Sequence, residues 1–217
     1  ADRSQSRDYG RAVAKCVRVD REGQYKEHIV FDAIIAYGLL QEQSEGHSDA
    51  IHLIVNMLSH VAHGALFEEK FRGRAIAPPD DISRLLHQCV SSVPGMYYAA
   101  RQGAFSAPCA GERFATLTLD SYNSAREAIR SARLAYRLDD NLDGLLGVAL
   151  PKIAFVLEHA AQWLGHRDGL PSQETFSGAS LIGDLKTLDL DRWLELFGHD
   201  LRRLYAAEDQ FSAENIF

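Results

Sequence analysis

Cysteine is scarce in this 217-residue chain. Cys16, Cys89 and Cys109 lie far apart, are odd in number and form no CxxC, which excludes a complete disulfide framework and makes a reducing, cytoplasmic home the expectation. Long apolar runs are also lacking. The longest nearly apolar stretch, residues 29–40, is interrupted by Asp32 and falls short of the roughly 20 residues a membrane span needs. The segment Ala1-Asp2-Arg3-Ser4-Gln5-Ser6-Arg7 is polar and has no signal-peptide core, so no membrane partner is expected. Positive charge is in deficit, with a formal net charge of −7. That balance excludes non-specific coating of duplex DNA, which requires net neutralisation of phosphates. Repeats and low-complexity tracts are missing as well.

What is present is ordinary globular material, 46% apolar and 24% charged, enough to exclude intrinsic disorder. Its basic residues are overwhelmingly arginine, 18 of 23, the side chain better suited to planar anions. Helical periodicity dominates. Residues 24–43 place Ile29, Val30, Ile34, Ile35 and Leu39 at helical spacing. Residues 48–71 carry Ile51, Ile54, Val55, Leu58, Val61 and Ala65 on one face. Pro78-Pro79-Asp80 opens a third helix near 82–93, which Pro94-Gly95 ends. Residues 102–118, with Gly103, Pro108 and Gly111, are the least regular segment and suggest a seam. It would separate an N-terminal half, 1–101, from a four-helix-like half, 119–217, within one domain; 113–119 could form one short strand. A helix over 121–138 capped by Asp120 or Ser121, a helix begun by Pro151 and running to 164, a loop over 165–183 and a final helix over 189–209 complete the pattern. The expected class is all-α, a bundle of about six to eight helices with at most one short strand.

Four groups of residues carry candidate chemistry. On the second helix His52, Asn56, His60 and His63 fall within roughly 80° at 100° per residue. Imidazoles suit a transition metal or proton transfer near neutral pH, and Asp32 on the preceding segment is a further candidate ligand. The expected metal set is therefore His52, His60, His63 and Asp32, with a transition metal as the cofactor, although neither HExxH nor ExxH occurs; the alternative is a seam of hydrogen-bonded histidines. The second group, Asp139-Asp140-Asn141-Leu142-Asp143-Gly144, is spaced like the start of a calcium loop, but Leu150 stands where the bidentate Glu belongs, and a polar helix end is the simpler expectation. The third is a stripe of Arg126, Arg130, Arg133 and Arg137 on one helical face. Like charges at this spacing repel, so a carboxylate-bearing helix, or an RNA phosphate, should face them. The fourth is Arg192 and His199, two turns apart on the polar face of the last helix.

Residues 121–207 resemble HEPN domains, the four-helix bundles of bacterial toxin–antitoxin and defence systems. The likeness rests on the Ala-rich amphipathic helix over 122–138 and the helix carrying Glu158 and His159 before a loop. It continues in the later helix carrying Gly198-His199-Asp200-Leu201. The resemblance implies metal-free ribonuclease chemistry at Arg192 and His199, or RNA or protein binding without cleavage, and a homodimer. Beside it stand two other expectations, a metal- or histidine-dependent enzyme built on His52, His60 and His63, and a structural or regulatory interaction protein.

Overall fold

The computed structural model describes residues 14–22, 24–42, 44–71, 78–172 and 176–207. The chain begins there with a hairpin. Strands β1 (Ala14–Arg21) and β2 (Gln24–Phe31) pair antiparallel from Ala14↔Phe31 to Arg21↔Gln24, with Glu22 at the turn in the left-handed region, φ 58°. Two eight-residue strands correct the expectation of at most one short strand, and β2 replaces the first half of the helix expected over 24–43. The cause is a merged pattern. Ile29, Val30 and Phe31 are β-formers at the end of a strand, and Ile34, Ile35 and Leu39 begin afresh on helix α1 (Ala33–Leu40). Asp32 marks the join as the N-cap of α1, accepting from the Ile34 amide at 3.3 Å.

Helix α2 (Glu45–Phe71) folds back on α1, and His47 Nδ1 lies 3.2 Å and 3.1 Å from the last carbonyls of α1, at Gly38 and Leu39. Cys16 on β1 rests beside Met57 of α2. Helix α3 (Asp81–Val90) is capped by Asp80, which accepts from the Ser83 amide at 2.7 Å. Helix α4 (Val93–Gly103) carries Pro94 in its first turn, where a missing N–H costs nothing. Two short 3-10 turns, Ala104–Ser106 and Pro108–Ala110, lead into the long helix α5 (Gly111–Asp139). Residues 113–119 are therefore helix and not strand, and α5 starts well before Asp120. Helix α6 (Leu142–Gly169) runs antiparallel to α5, with Pro151 in its interior and not its first turn. Asn141 caps α6 through the Gly144 amide at 2.8 Å, and the earlier start places Pro151 about two and a half turns inside. Helices α7 (Ser180–Thr187) and α8 (Asp191–Ala206) complete the described chain.

The core lies where α4, α5, α6, α7 and α8 converge, around Trp163, Leu164, Tyr97, Phe114, Leu181 and Leu201. Trp163 is fully enclosed and donates its indole N–H to the Gly178 carbonyl at 2.9 Å. Helices α4 and α6 touch backbone to backbone. A Cβ on Gly165 would collide with the Tyr97 carbonyl, and one on Gly169, a turn later, with that of Arg101. The fold is thus mostly α, a helical bundle with a small antiparallel hairpin attached.

Candidate functional site

The histidines of α2 share a helical face but not a site. Each residue adds about 1.5 Å along the axis, so His52 and His63 stand roughly 16 Å apart. His52 turns to the 3-10 segment, where its Nδ1 lies 2.9 Å from Ser106 Oγ, and to the rings of Phe114 and His166. His60 and His63 instead face Gly95 and Tyr98 on α4. Asp32 caps α1 elsewhere. Among the described residues no three His, Cys, Asp or Glu side chains converge as a metal set. That corrects the expected grouping of Asp32, His52, His60 and His63, because angular proximity on a helix sets no axial proximity. Burial holds these imidazoles neutral: His52 and His63 are pushed below the usual range, and His60 falls to about 4, with the nearby His63 adding to the burial.

The acidic segment is a helix-to-helix corner. Asp139 Oδ1 accepts from the Asn141 amide at 3.0 Å, Asp140 is left-handed at φ 52°, and Asn141 caps α6. Glu158 accepts from Ser92 Oγ at 2.5 Å, and Lys152 reaches Ser124 Oγ at 3.2 Å.

Arg192 and His199 project from α8 into solvent, about 10 Å apart along the axis. His199 Nδ1 lies 3.6 Å from Asp200 Oδ1, both side chains being well exposed.

The arginine stripe has the most distinctive surroundings. Arg126, Arg130, Arg133 and Arg137 are all exposed on α5. Among the described residues no carboxylate stands within ion-pair distance of any of them. No acidic helix among the described residues faces the stripe. What does lie alongside is an open groove of about 530 Å³. Its walls are Tyr122, Ala125 and Ile129 of α5, Ile153, Val156 and Leu157 of α6, and Leu190 and Trp193 at the start of α8. Arg126, Arg130 and Arg133 line it too, as a polar rail along an apolar trough.

The position of α8 explains the groove. Gly198 rests on Leu164, and Arg202 reaches Asp168 at 3.1 Å, so α8 runs parallel to α6 beside its second half. Its first turn stops level with Leu157, while α5 and α6 continue outward as a pair. Among the described residues, therefore, no helix covers the groove side of the outer α5–α6 arm. Trp193, stacked on Phe197 at 5.5 Å, is partly buried against the core and also floors the groove mouth.

One cluster went unread in the sequence. Asp168, its side chain 9% exposed, accepts from Tyr97 Oη at 2.8 Å and from Arg167 and Arg202. Arg101 donates to Tyr97 Oη at 3.1 Å and lies 4.0 Å over the ring of Tyr205. Burial and the Asp168 carboxylate push the Tyr97 phenol up to about 12. The network ties α8 to α4 and α6 and so sets where α8 begins. Its members come from three helices, and no local spacing announces them.

No protein-family model, curated protein or solved structure matches this chain.

Two helical stretches, Gly46–Glu69 and Leu142–Gly169, are long and apolar enough by length and composition to cross a membrane, although polar residues interrupt both. The first contains His52, Asn56, His60 and His63, and the second Lys152, Glu158, His159 and Arg167.

Proposed function

We propose that this chain is a binding module whose working surface is the arginine-railed groove, and that the groove takes an acidic, apolar segment of a partner protein. The observation that carries the reading is three exposed guanidiniums with no carboxylate of the described residues at ion-pair distance, aligned along an apolar trough. An unopposed arginine row repels itself, so an anion gains by docking there, while the trough offers the apolar area that holds a partner in register. The rail repeats at steps of about 4.5–6 Å, close to the rise between acidic side chains one turn apart on a partner helix. RNA phosphates could match that rise too, but unpaired bases favour aromatic platforms. Tyr122 and Trp193 are the trough's two aromatics, outnumbered by Ala125, Ile129, Ile153, Val156, Leu157 and Leu190, and a mainly aliphatic trough suits a protein. The reading keeps the HEPN-like, cytosolic class as the proposed setting and assigns it recognition without cleavage by Arg192 and His199.

The test uses a fluorescent 15-residue peptide alternating leucine and glutamate at helical spacing, titrated against the protein and against Arg126→Gln/Arg130→Gln/Arg133→Gln. Binding that weakens at least tenfold in the triple variant, and weakens with salt, supports the proposal. Absent peptide binding overturns it. So does a single-stranded RNA that binds more tightly than the peptide and loses affinity in the same variant.

A further inference from the structure

The stretches outside the described residues differ sharply in charge. Residues 1–13 carry three arginines against two aspartates, residues 72–77 are basic through Arg72 and Arg74, and residues 173–175 hold one acid. Only residues 208–217, Glu-Asp-Gln-Phe-Ser-Ala-Glu-Asn-Ile-Phe, combine three carboxylates, no basic residue and large apolar side chains. That is the complement of the groove: Glu208, Asp209 and Glu214 for Arg126, Arg130 and Arg133, and Phe211, Ile216 and Phe217 for the trough.

Reach decides whose groove it is. The segment leaves from Ala207, at the far end of α8 from the groove, and Trp193 lies 14 residues back, about 21 Å along the helix. Ten extended residues span at most about 33–36 Å. Folding back along its own α8, the segment would spend its first six or seven residues on the return, leaving Glu208 and Asp209 remote from the rail. Only a groove on another molecule can meet all three acids. Reciprocal exchange between two copies would close a two-fold dimer, with the same pair of surfaces used twice.

Resting on the binding role proposed above, we infer that residues 208–217 of one copy occupy the arginine-railed groove of a second copy, so that self-association and partner binding compete for one surface. The experiment is a charge exchange in the full chain, read by sedimentation velocity, with circular dichroism checking the fold. One variant carries Glu208→Lys/Asp209→Lys/Glu214→Lys, the other Arg126→Glu/Arg130→Glu/Arg133→Glu. The wild type should dimerise with a salt-sensitive constant, each variant alone should weaken it at least tenfold, and an equimolar mixture of the two should restore a mixed dimer held through one native and one charge-swapped contact. A wild type that stays monomeric at low salt, or a tail variant that still dimerises fully, overturns the inference. Titrating the leucine–glutamate peptide into the tail variant separates the two readings. Tight binding there, with a monomeric wild type, leaves the groove's role standing and removes only the self-docking; no binding removes both.

Discussion

The inner and outer halves of the α5–α6 pair are built from similar residues and live in different surroundings. Inward, Ala160, Ala161, Trp163 and Leu164 of α6 and Phe114 and Ala115 of α5 are buried under α4, α7 and α8. Outward, Leu134, Leu138 and Leu142 are more than half exposed, Leu138 at 90%. Helix α3 meets the outer stretch of α6 only on one side, where Cys89 lies 3.6 Å from the Leu150 carbonyl, and it turns Ile82 and Leu86 to solvent. The contrast teaches that leucine content does not locate a core. A third and fourth helix do, and where α8 stops, the core stops and the groove begins.

The widest gap between the halves should appear in truncation. Trp163→Ala deletes a fully enclosed ring and its hydrogen bond to Gly178, and should cost about 3–5 kcal/mol. Leu138→Ala should change stability by less than about 0.5 kcal/mol. Urea unfolding of both variants checks the pair, and similar midpoints would erase the distinction.

Acid should attack the enclosed part of the bundle, where α2 and the inner half of α6 bury their histidines. His52, His60, His63, His159 and His166 are all pushed below their ordinary range, burial being the first cause in each. A base whose folded pKa is depressed binds its proton more readily when unfolded. Stability is therefore full above about pH 6.5 and drains as pH falls from there toward 4, His60 alone accounting for on the order of 2–3 kcal/mol. Urea midpoints should fall steadily between pH 7 and pH 5, and a flat profile over that window would mean the imidazoles are not held neutral. Two of these groups add a reason for sensitivity, since His159 Nε2 and His166 Nδ1 are buried with no hydrogen-bond partner among the described residues.

A smaller effect compares two glycines of one helix. Gly165→Ala drives a methyl into the α4 backbone and should cost about 1–3 kcal/mol. Gly147→Ala, with nothing within 4 Å of the added carbon, should stabilise by up to about 1 kcal/mol through helix propensity. Thermal melts of the two should move in opposite directions.

Periodicity carried the helices well where one pattern ran alone. The apolar stripe of α8 was legible, and Leu194 and Leu201 are buried as its spacing requires. So were α2, the opening of α3 behind Pro78-Pro79-Asp80 and the single face of Arg126, Arg130, Arg133 and Arg137, because a helix converts sequence separation into angle by a fixed rule. Residues 24–43 misled because a strand and a helix abut at Asp32 and their apolar residues sum to a false helical period. The histidine arc misled because the same rule gives angle and axial rise together, and only the angle was used.

What the order of residues could not contain is the company each face keeps. Local backbone chemistry sets a helix, its caps and its stripes through interactions within a few residues. The Asp168 network, the enclosure of Trp163 and the trough beside the arginine rail each join three or more elements distant in the chain. The position of α8 along α6 decides the first and the last, and that position follows from the packing of Gly198 on Leu164 and the reach of Arg202 to Asp168, while Phe176 and Gly178 close over Trp163.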